Sequence, residues 1–264
     1  MDHKTIPLDW FVCPVTKEIL KRKNDVLYSS FGEFKKNKEY GFYDFIPYGL
    51  EDLKNKKWKE WNKLQENAQK SYVADPYNNL SIGERKDSLE FMHFCNFRRN
   101  VLDVGCGPQA NPTHIAYSTN RDIFFTGIDP LVGEQPRSFA FVSGLGEYLP
   151  FRDTLFHQVL FVTALDHFID PLIPLMEAKR VVRADGEICV WIGEKSKKAP
   201  KPAKNNEWYE KLEIPEGAED PFHFRRLSAA DFEMYVKQIG LKVREKKVLL
   251  ADRYGKNLFY KLVK

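Results

Sequence analysis

The sequence lacks a long apolar run. No stretch of its 264 residues approaches the roughly 20 consecutive apolar residues with which a helix spans a bilayer, which argues against an integral membrane protein. Its first residues, Met1-Asp2-His3-Lys4, are polar and do not open the apolar segment of a signal peptide. We therefore expect a cytoplasmic protein.

Cysteine is scarce and scattered. The four cysteines, Cys13, Cys95, Cys106 and Cys189, form no pair with the short spacing of a metal knuckle or a redox motif. Widely separated cysteines are typical of a reducing compartment and do not indicate a disulfide framework. From the sequence we expect reduced thiols and no bound metal.

The chain contains enough apolar and aromatic side chains to form a hydrophobic core. Hydrophobic residues make up 43% and aromatic residues 14% of the sequence, which excludes a disordered or collagen-like chain. The formal charge is negative over residues 101–194 and positive on both sides of them. A basic protein with an acidic centre is a poor match to a nucleic-acid coat, whereas it suits a cationic ligand held centrally. Mixed charge that keeps the protein soluble is the other interpretation.

The first third of the chain predicts a small β appendage followed by connecting helices. Aromatic and β-branched runs at residues 8–15, 25–29 and 39–46 predict three short strands, within an appendage of residues 1–50. Residues 51–94 predict two helices, at 51–71 and 82–94, with a turn-rich segment at 72–82 between them. In the first of these helices Trp58 and Trp61 have the spacing of a core face, and lysines fill the other face.

Residues 95–264 alternate between strands and helices. Apolar runs at 101–104, 123–128, 139–142, 157–162 and 186–192 predict parallel strands, and a helix is expected at 172–182. A helix at 228–239 and two last strands at 242–250 and 257–263 follow, and the short turn between these strands predicts a hairpin with one antiparallel strand. The fold class is therefore α/β: a seven-stranded, mostly parallel, Rossmann-like sheet with helices on both faces, plus the N-terminal appendage. Residues 195–222 predict a long surface loop that acts as a lid.

A glycine turn follows the first strand of this region. Asp103 ends the strand within VLDVGCGPQ at 101–109, and Gly105 and Gly107 allow a tight turn and close approach of the backbone to a ligand. Asp129 ends the next strand 26 residues later, where a carboxylate can accept hydrogen bonds from two ribose hydroxyls. Taken singly, each feature also fits an ordinary turn or a helix cap.

The ordered series of motifs resembles class I S-adenosylmethionine-dependent methyltransferases of the ubiquinone-biosynthesis type. Beyond the glycine turn and the Gly127-Ile128-Asp129 strand end, the matching stretches are at 146–153, 162–168 and 177–187. The resemblance implies methyl transfer, with S-adenosylmethionine as cofactor, S-adenosylhomocysteine as product and no metal. The shorter glycine motif disfavours a dinucleotide oxidoreductase.

The same resemblance implies the cofactor-binding residues. Asp103, Gly105 and Gly107 would line the methionine end, and Asp129 would bind the ribose hydroxyls. Pro130, next to Asp129, would add a further contact. The adenine would be flanked by Leu145, Gly146 and Glu147, and Thr163 would contribute from the loop after the fourth strand. Two positions depart from the family pattern, since Leu145 replaces a common acidic residue and Gln109 replaces a common small one.

The appendage is similar to a small zinc-ribbon-like domain that accompanies some methyltransferases of tRNA, rRNA and polysaccharide pathways. The similar segment runs from Cys13-Pro14-Val15-Thr16 to Ile46-Pro47, and of the four cysteine ligands only Cys13 is present. Because tetrahedral zinc cannot be held by one thiolate, we expect a metal-free relic. An unrelated three-stranded appendage is the alternative.

The candidate catalytic residues follow the fourth strand. If the acceptor atom is a hydroxyl oxygen, we expect His167 to be the general base, with Asp166 as its neighbour or substitute, because a histidine titrates near neutrality. His223 is the rival, since the predicted lid could bring it over the same pocket. A packing role for His167 is the other interpretation.

The acceptor is the least constrained part of the prediction. A small polar metabolite or a sugar or glycan is our first expectation. The lysines at 54–63 and 195–204 and the appendage leave open an RNA methyltransferase acting on tRNA or rRNA. The departures at Gln109 and Leu145 leave open a cofactor-binding partner subunit without catalysis. The oligomeric state is not indicated.

Overall fold

A computed structural model of the protein describes residues 5–49, 56–75, 85–120, 122–196, 207–251 and 254–264. Within these ranges the chain forms a three-stranded and a seven-stranded sheet. No helix in the described part of the chain is both long and apolar enough to cross a membrane.

Of the three predicted N-terminal strands, only the one at 25–29 coincides with a strand of the small sheet. Its antiparallel strands are β1 (Lys21–Lys23), β2 (Val26–Tyr28) and β3 (Glu33–Lys35). The predicted strand at 8–15 is wrong: Leu8–Trp10 is a 3-10 helix, and only isolated bridges follow it. The predicted strand at 39–46 is also wrong, since it too contains only isolated bridges. Pro7 and Pro14 supply no N–H for a ladder, and the left-handed Gly41 interrupts the later segment.

Aromatic side chains from these irregular segments attach the appendage to the large sheet. Phe11 packs against Phe151 with ring centroids 5.8 Å apart, and the Val12 N–H donates to the Pro150 carbonyl at 3.0 Å. The Lys17 ammonium lies 2.6 Å from the Glu177 carboxylate. Residues that look like strand formers therefore serve as core side chains of an interface.

Two helices connect the appendage to the large sheet. Helix α1 (Lys56–Ala74) extends past the predicted end at 71 and replaces the first part of the predicted turn-rich segment. Helix α2 is Lys86–Cys95 and ends at the left-handed Asn96. Residues 51–55 and 76–84, which belong to the predicted helices and turn, lie outside the described residues.

The large sheet confirms the predicted topology. Its strands are β4 (Asn100–Val104), β5 (Phe124–Asp129), β6 (Ala140–Ser143), β7 (Phe156–Val162), β8 (Val182–Lys195), β9 (Lys242–Leu250) and β10 (Gly255–Val263). The order is β6-β5-β4-β7-β8-β10-β9, and β10 runs antiparallel to both of its neighbours. The helices of this region are α3 (Thr113–Ala116), α4 (Leu172–Val181), α5 (Glu207–Glu210) and α6 (Ala229–Gln238).

Side chains alternate between two cores on opposite faces of the sheet. On β7, Val159 and Phe161 join the core that α4, α6 and the appendage cover, while Leu160 joins the core beneath α2 and α3. Because β4, β5 and β7 are parallel neighbours, their carboxyl ends meet at one edge. Asp103, Asp129 and Thr163, which the motifs singled out, lie at that edge.

The predicted lid at 195–222 is only partly described. Strand β8 continues to Lys195, and α5 begins at Glu207, while residues 197–206 lie outside the described residues. The segment after α5 is tied to α1, because the Asn67 amide donates to the carbonyls of Glu213 at 2.8 Å and Pro221 at 2.9 Å. The lid role stays a prediction.

Candidate active site

The glycine turn after β4 leaves no room for a side chain at Gly105. Gly105 has a φ of +76° and Gly107 a φ of +70°, in the left-handed region that favours glycine. A Cβ on Gly105 would lie only 2.6 Å from the Cβ of Ala164, in the loop after β7. The turn therefore needs glycine both for its backbone angles and for the close approach of two loops.

Asp103 is fully buried beside this turn. Its Oδ2 lies 2.8 Å from Nε2 of the buried His114 on α3. Its Oδ1 is also buried and has no hydrogen-bond partner among the described residues. Since an unpaired buried carboxylate oxygen is costly, Asp103 is arranged to accept a hydrogen bond from a bound group. Sequence analysis missed His114, whose only signal was its place in the helix after the glycine turn.

Asp129 holds the glycine turn in place. Its Oδ2 accepts a hydrogen bond from the Gly107 N–H at 2.7 Å, and its Oδ1 accepts one from the Leu131 N–H at 2.8 Å. Burial raises the pKa of Asp129 to about 6, although these two N–H donors oppose the shift. Each carboxylate oxygen keeps a further lone pair with which it can accept a hydroxyl.

Arg137 clamps the same turn and was not predicted. Its Nη1 donates to the carbonyls of Gly107 and Gln109, both at 2.8 Å, and its Nη2 donates to the Leu131 carbonyl at 3.1 Å. The guanidinium also lies 3.8 Å from the ring centroid of Phe141. A lone arginine in a loop carries no motif, so no pattern in the sequence indicates this role.

Helix α1 forms a wall of the site, which sequence analysis also missed. Trp61, Gln65, Ala68 and Tyr72 line the cavity at the carboxyl edge of the sheet. The Trp61 indole N–H donates to the His167 carbonyl at 3.0 Å. Burial raises the pKa of Tyr72 well above its usual range, and the neighbouring Asp129 contributes to the shift.

The three residues that were predicted to flank the adenine, Leu145, Gly146 and Glu147, pack away from the cavity that holds Asp129. Leu145 is buried against Trp58 and Trp61. A Cβ on Gly146 would lie 2.6 Å from the Phe168 ring, and burial raises the pKa of Glu147 to about 7. These three predicted residues do not line the cavity that holds Asp129. Their role in cofactor binding stays a prediction.

The candidate catalytic residues form a compact cluster with Asp220 and Arg226. The rings of His167 and His223 lie 4.2 Å apart, and Nε2 of His223 is 3.7 Å from Oδ2 of Asp166. Nδ1 of His223 lies 2.7 Å from Oδ1 of Asp220, whose pKa is held well below its usual range by His223 and Arg226 against the effect of burial. Burial, reinforced by the charge of His223, lowers the pKa of His167 to about 4, which leaves its imidazole neutral at pH 7.

One cavity of about 190 Å³ brings most of the predicted residues together. Of the predicted cofactor and catalytic residues, those lining it are Asp103, Gly105, Gly107, Asp129, Pro130, Thr163 and His167. Asp166 and His223 stand behind His167 rather than on the cavity wall. The arrangement offers a glycine cradle, two buried carboxylates and a neutral imidazole in one cavity.

The comparison with solved structures gives matches to methyltransferases. Phosphoethanolamine N-methyltransferase 2 of Haemonchus contortus, in complex with phosphomonomethylethanolamine and S-adenosylhomocysteine, matches with a TM-score of 0.56 at 10% identity, over 76% of this chain and 60% of that one. A methyltransferase of Aquifex aeolicus that depends on S-adenosylmethionine matches with a TM-score of 0.47 at 14% identity, over 75% of this chain and 98% of that one. No curated protein sequence matches this chain.

The sequence itself matches one family. Residues 102–190 match the model of the methyltransferase domain, which begins in β4 and ends in β8. This range contains the glycine turn, Asp129 and the loop after β7, which are the features that the resemblance in the sequence identified. The chain therefore carries a methyltransferase domain, which indicates an enzyme that depends on S-adenosylmethionine.

Proposed function

We propose that this methyltransferase acts on a small polar acceptor with a reactive hydroxyl, such as a metabolite or a sugar. The observation that carries the proposal is that His167 lines the same cavity as Asp103, Gly107 and Asp129. A side chain able to bind a hydroxyl and a cradle suited to the cofactor thus share one cavity of about 190 Å³. A cavity of this size favours a small acceptor.

The residues present fit the cofactor. The unpaired Oδ1 of Asp103 suits the ammonium group of the methionine moiety, and the carboxylate of Asp129 suits two ribose hydroxyls. The turn at Gly105, into which a Cβ would not fit, allows close approach of the backbone. When bound, S-adenosylmethionine supplies an electrophilic methyl group on a sulfonium centre.

The chain's own residues would orient the acceptor and exclude water. Trp61 and Tyr72 of α1 cover the cavity, and the hydrogen bond from Trp61 to the His167 carbonyl joins this cover to the loop after β7. A water-free site strengthens every polar contact inside it. The neutral His167 can accept a hydrogen bond from an acceptor hydroxyl and so direct the oxygen lone pair. Proton removal by His167 stays a prediction.

The two alternatives from the sequence remain outcomes of the test. For an RNA acceptor, the exposed lysines of α1 that could face the phosphates are Lys57 and Lys59. Lys63 instead pairs with Glu60, with Nζ 3.2 Å from the carboxylate. Lys54 and residues 197–204 lie outside the described residues. A cofactor-binding subunit without catalysis is the other alternative. It is suggested by Leu145, which replaces a common acidic residue of the family and packs on Trp58 and Trp61.

Two successive measurements test the proposal. Calorimetry with S-adenosylhomocysteine should show binding to the wild type and none to Gly105→Arg, whose side chain fills the cradle. Incubation with methyl-deuterated S-adenosylmethionine and separate pools of sugars, small hydroxylated metabolites and total RNA, read by mass spectrometry, should then label a small hydroxylated compound. Label in RNA alone, or tight cofactor binding with no labelled product in any pool, would overturn the proposed acceptor class.

A further inference from the structure

Three side chains with metal-binding chemistry converge behind the cavity wall. One carboxylate oxygen of Asp166 and one ring nitrogen each of His167 and His223 lie within 4.8 Å of one another. Asp166 and His167 come from the loop after β7, and His223 comes from the segment before α6. Because the histidines are 56 positions apart, no sequence spacing could reveal the group, and this is why the sequence predicted no metal.

The hydrogen bonds of both histidines fix their tautomers. Nδ1 of His167 lies 3.2 Å from the carbonyl oxygen of Phe222, which can only accept, so Nδ1 carries the hydrogen. Nδ1 of His223 lies 2.7 Å from Oδ1 of Asp220, a carboxylate that accepts in the same way. In the neutral tautomer that these contacts favour, Nε2 of each ring offers its lone pair to a ligand. Histidine ligands of metals are oriented in this manner, with the second ring nitrogen bonded to a carbonyl or a carboxylate.

The contact between His223 and Asp166 leaves room for a cation. Nε2 of His223 and Oδ2 of Asp166 face each other at 3.7 Å, which exceeds a hydrogen bond. Ligand atoms around a tetrahedral zinc ion, each about 2.0–2.1 Å from the metal, lie about 3.3 Å apart, close to this separation. A metal ion between the two atoms would satisfy both of them.

The surrounding charge is also favourable. Arg226 is a cation beside the group, with Nη1 3.6 Å from Oδ2 of Asp166, and it opposes metal binding. Its shorter contact, however, is with Asp220, where Nε lies 2.9 Å from Oδ2. Two carboxylates, those of Asp166 and Asp220, therefore face one guanidinium beside the two imidazole rings.

We propose that Asp166, His167 and His223 bind a divalent transition-metal ion such as zinc. Three protein ligands leave a fourth coordination position open, as in catalytic zinc sites. His167 lines the acceptor cavity, while the other two ligands stand behind it. A bound ion takes up a ring nitrogen of His167, so the metal-bound form would not use that nitrogen to accept the hydroxyl of the acceptor. This last consequence rests on the proposed function.

Zinc binding by the full-length protein tests the site. After removal of bound metal with a chelator, calorimetry with zinc chloride should show one site per chain, and cobalt should give the absorption bands of a tetrahedral or five-coordinate centre. His223→Asn and Asp166→Asn should lose the site, and Asp220→Asn, which removes only the charge that orients His223, should weaken it by about 10–100-fold. His93→Asn, which changes an exposed histidine on α2, should bind zinc as the wild type does.

Two controls keep the result interpretable. Affinity for S-adenosylhomocysteine, measured on every variant, shows that the variant is folded and tests the cofactor site independently of the metal. Zinc binding that survives in His223→Asn but disappears in Cys13→Ser would assign the metal to the appendage and overturn the proposal. Equal, weak zinc binding by wild type, His223→Asn and Asp166→Asn would overturn it as well, even if methyl transfer is found.

Discussion

The carboxylate of Asp129 accepts a hydrogen bond from the backbone N–H of Gly107 at 2.7 Å, and this bond joins the end of β5 to the turn after β4. The residue that should bind the ribose therefore also shapes the turn that should hold the methionine end. A change at Asp129 acts on two parts of the cofactor site at once.

Asp129→Asn should weaken binding of S-adenosylhomocysteine. The variant keeps the size of the side chain but replaces a carboxylate acceptor by an amide, which costs about 1–3 kcal/mol, or roughly 5- to 150-fold in affinity. Calorimetry measures the effect. Asp122→Asn, an exposed aspartate just before β5, is the matched control and should leave affinity unchanged. Equal affinities for the two variants would remove Asp129 from the cofactor site.

Gly105→Ala should destabilise the protein more than Gly217→Ala. Both glycines have nearly the same positive φ, +76° and +79°, but a Cβ on Gly217 meets nothing within 4 Å, whereas one on Gly105 meets Ala164 at 2.6 Å. The left-handed backbone alone costs about 1–2 kcal/mol for alanine, which is the loss expected for Gly217→Ala in chemical denaturation. An equal loss at both sites would show that the two loops can move apart without cost.

The large sheet could be predicted because the sequence signals for its strands are local. The parallel strands β4, β5, β6 and β7 each contain a short apolar run, and Asp103, the glycines and Asp129 stand at strand ends whose position the topology dictates. Parallel strands place those ends side by side, which is why separate motifs in the sequence meet in one cavity.

What could not be predicted depends on contacts between distant segments. Trp61 has the spacing of a core residue, and nothing local shows that it packs over the cavity and binds the carbonyl of His167. The pairing of His223 with Asp166 is of the same kind. In the appendage, Phe11 looks like part of a strand, but it fills an interface with Phe151, since burial and not local propensity decides its role.

Arg137→Met should lower affinity for S-adenosylhomocysteine although Arg137 itself is not predicted to contact the cofactor. The guanidinium donates to the carbonyls of Gly107, Gln109 and Leu131, and methionine removes all of these bonds while filling similar space. We expect a loss of about 10-fold or more, because a looser turn must be ordered on binding. Arg183→Met, which changes an arginine paired only with the exposed Asp185, is the control. Unchanged affinity in Arg137→Met would show that the turn is rigid without its clamp.

Glu147→Gln should stabilise the protein, and more so at higher pH. Burial raises the pKa of Glu147 to about 7 in the folded protein, above its ordinary value of 4.5. The folded state therefore binds the proton more tightly, so the stabilising contribution of the protonated form is complete below about pH 4.5 and is lost as the pH rises through 7. Glutamine cannot ionise, and at pH 8 the variant should gain about 1–3 kcal/mol in free energy of unfolding over the wild type, a gain that shrinks toward pH 4.5. Urea denaturation at the two pH values measures the difference, with the exposed Glu66→Gln as control. A gain that is absent at pH 8, or that is equal at both values, would mean that Glu147 is hydrated or paired in solution.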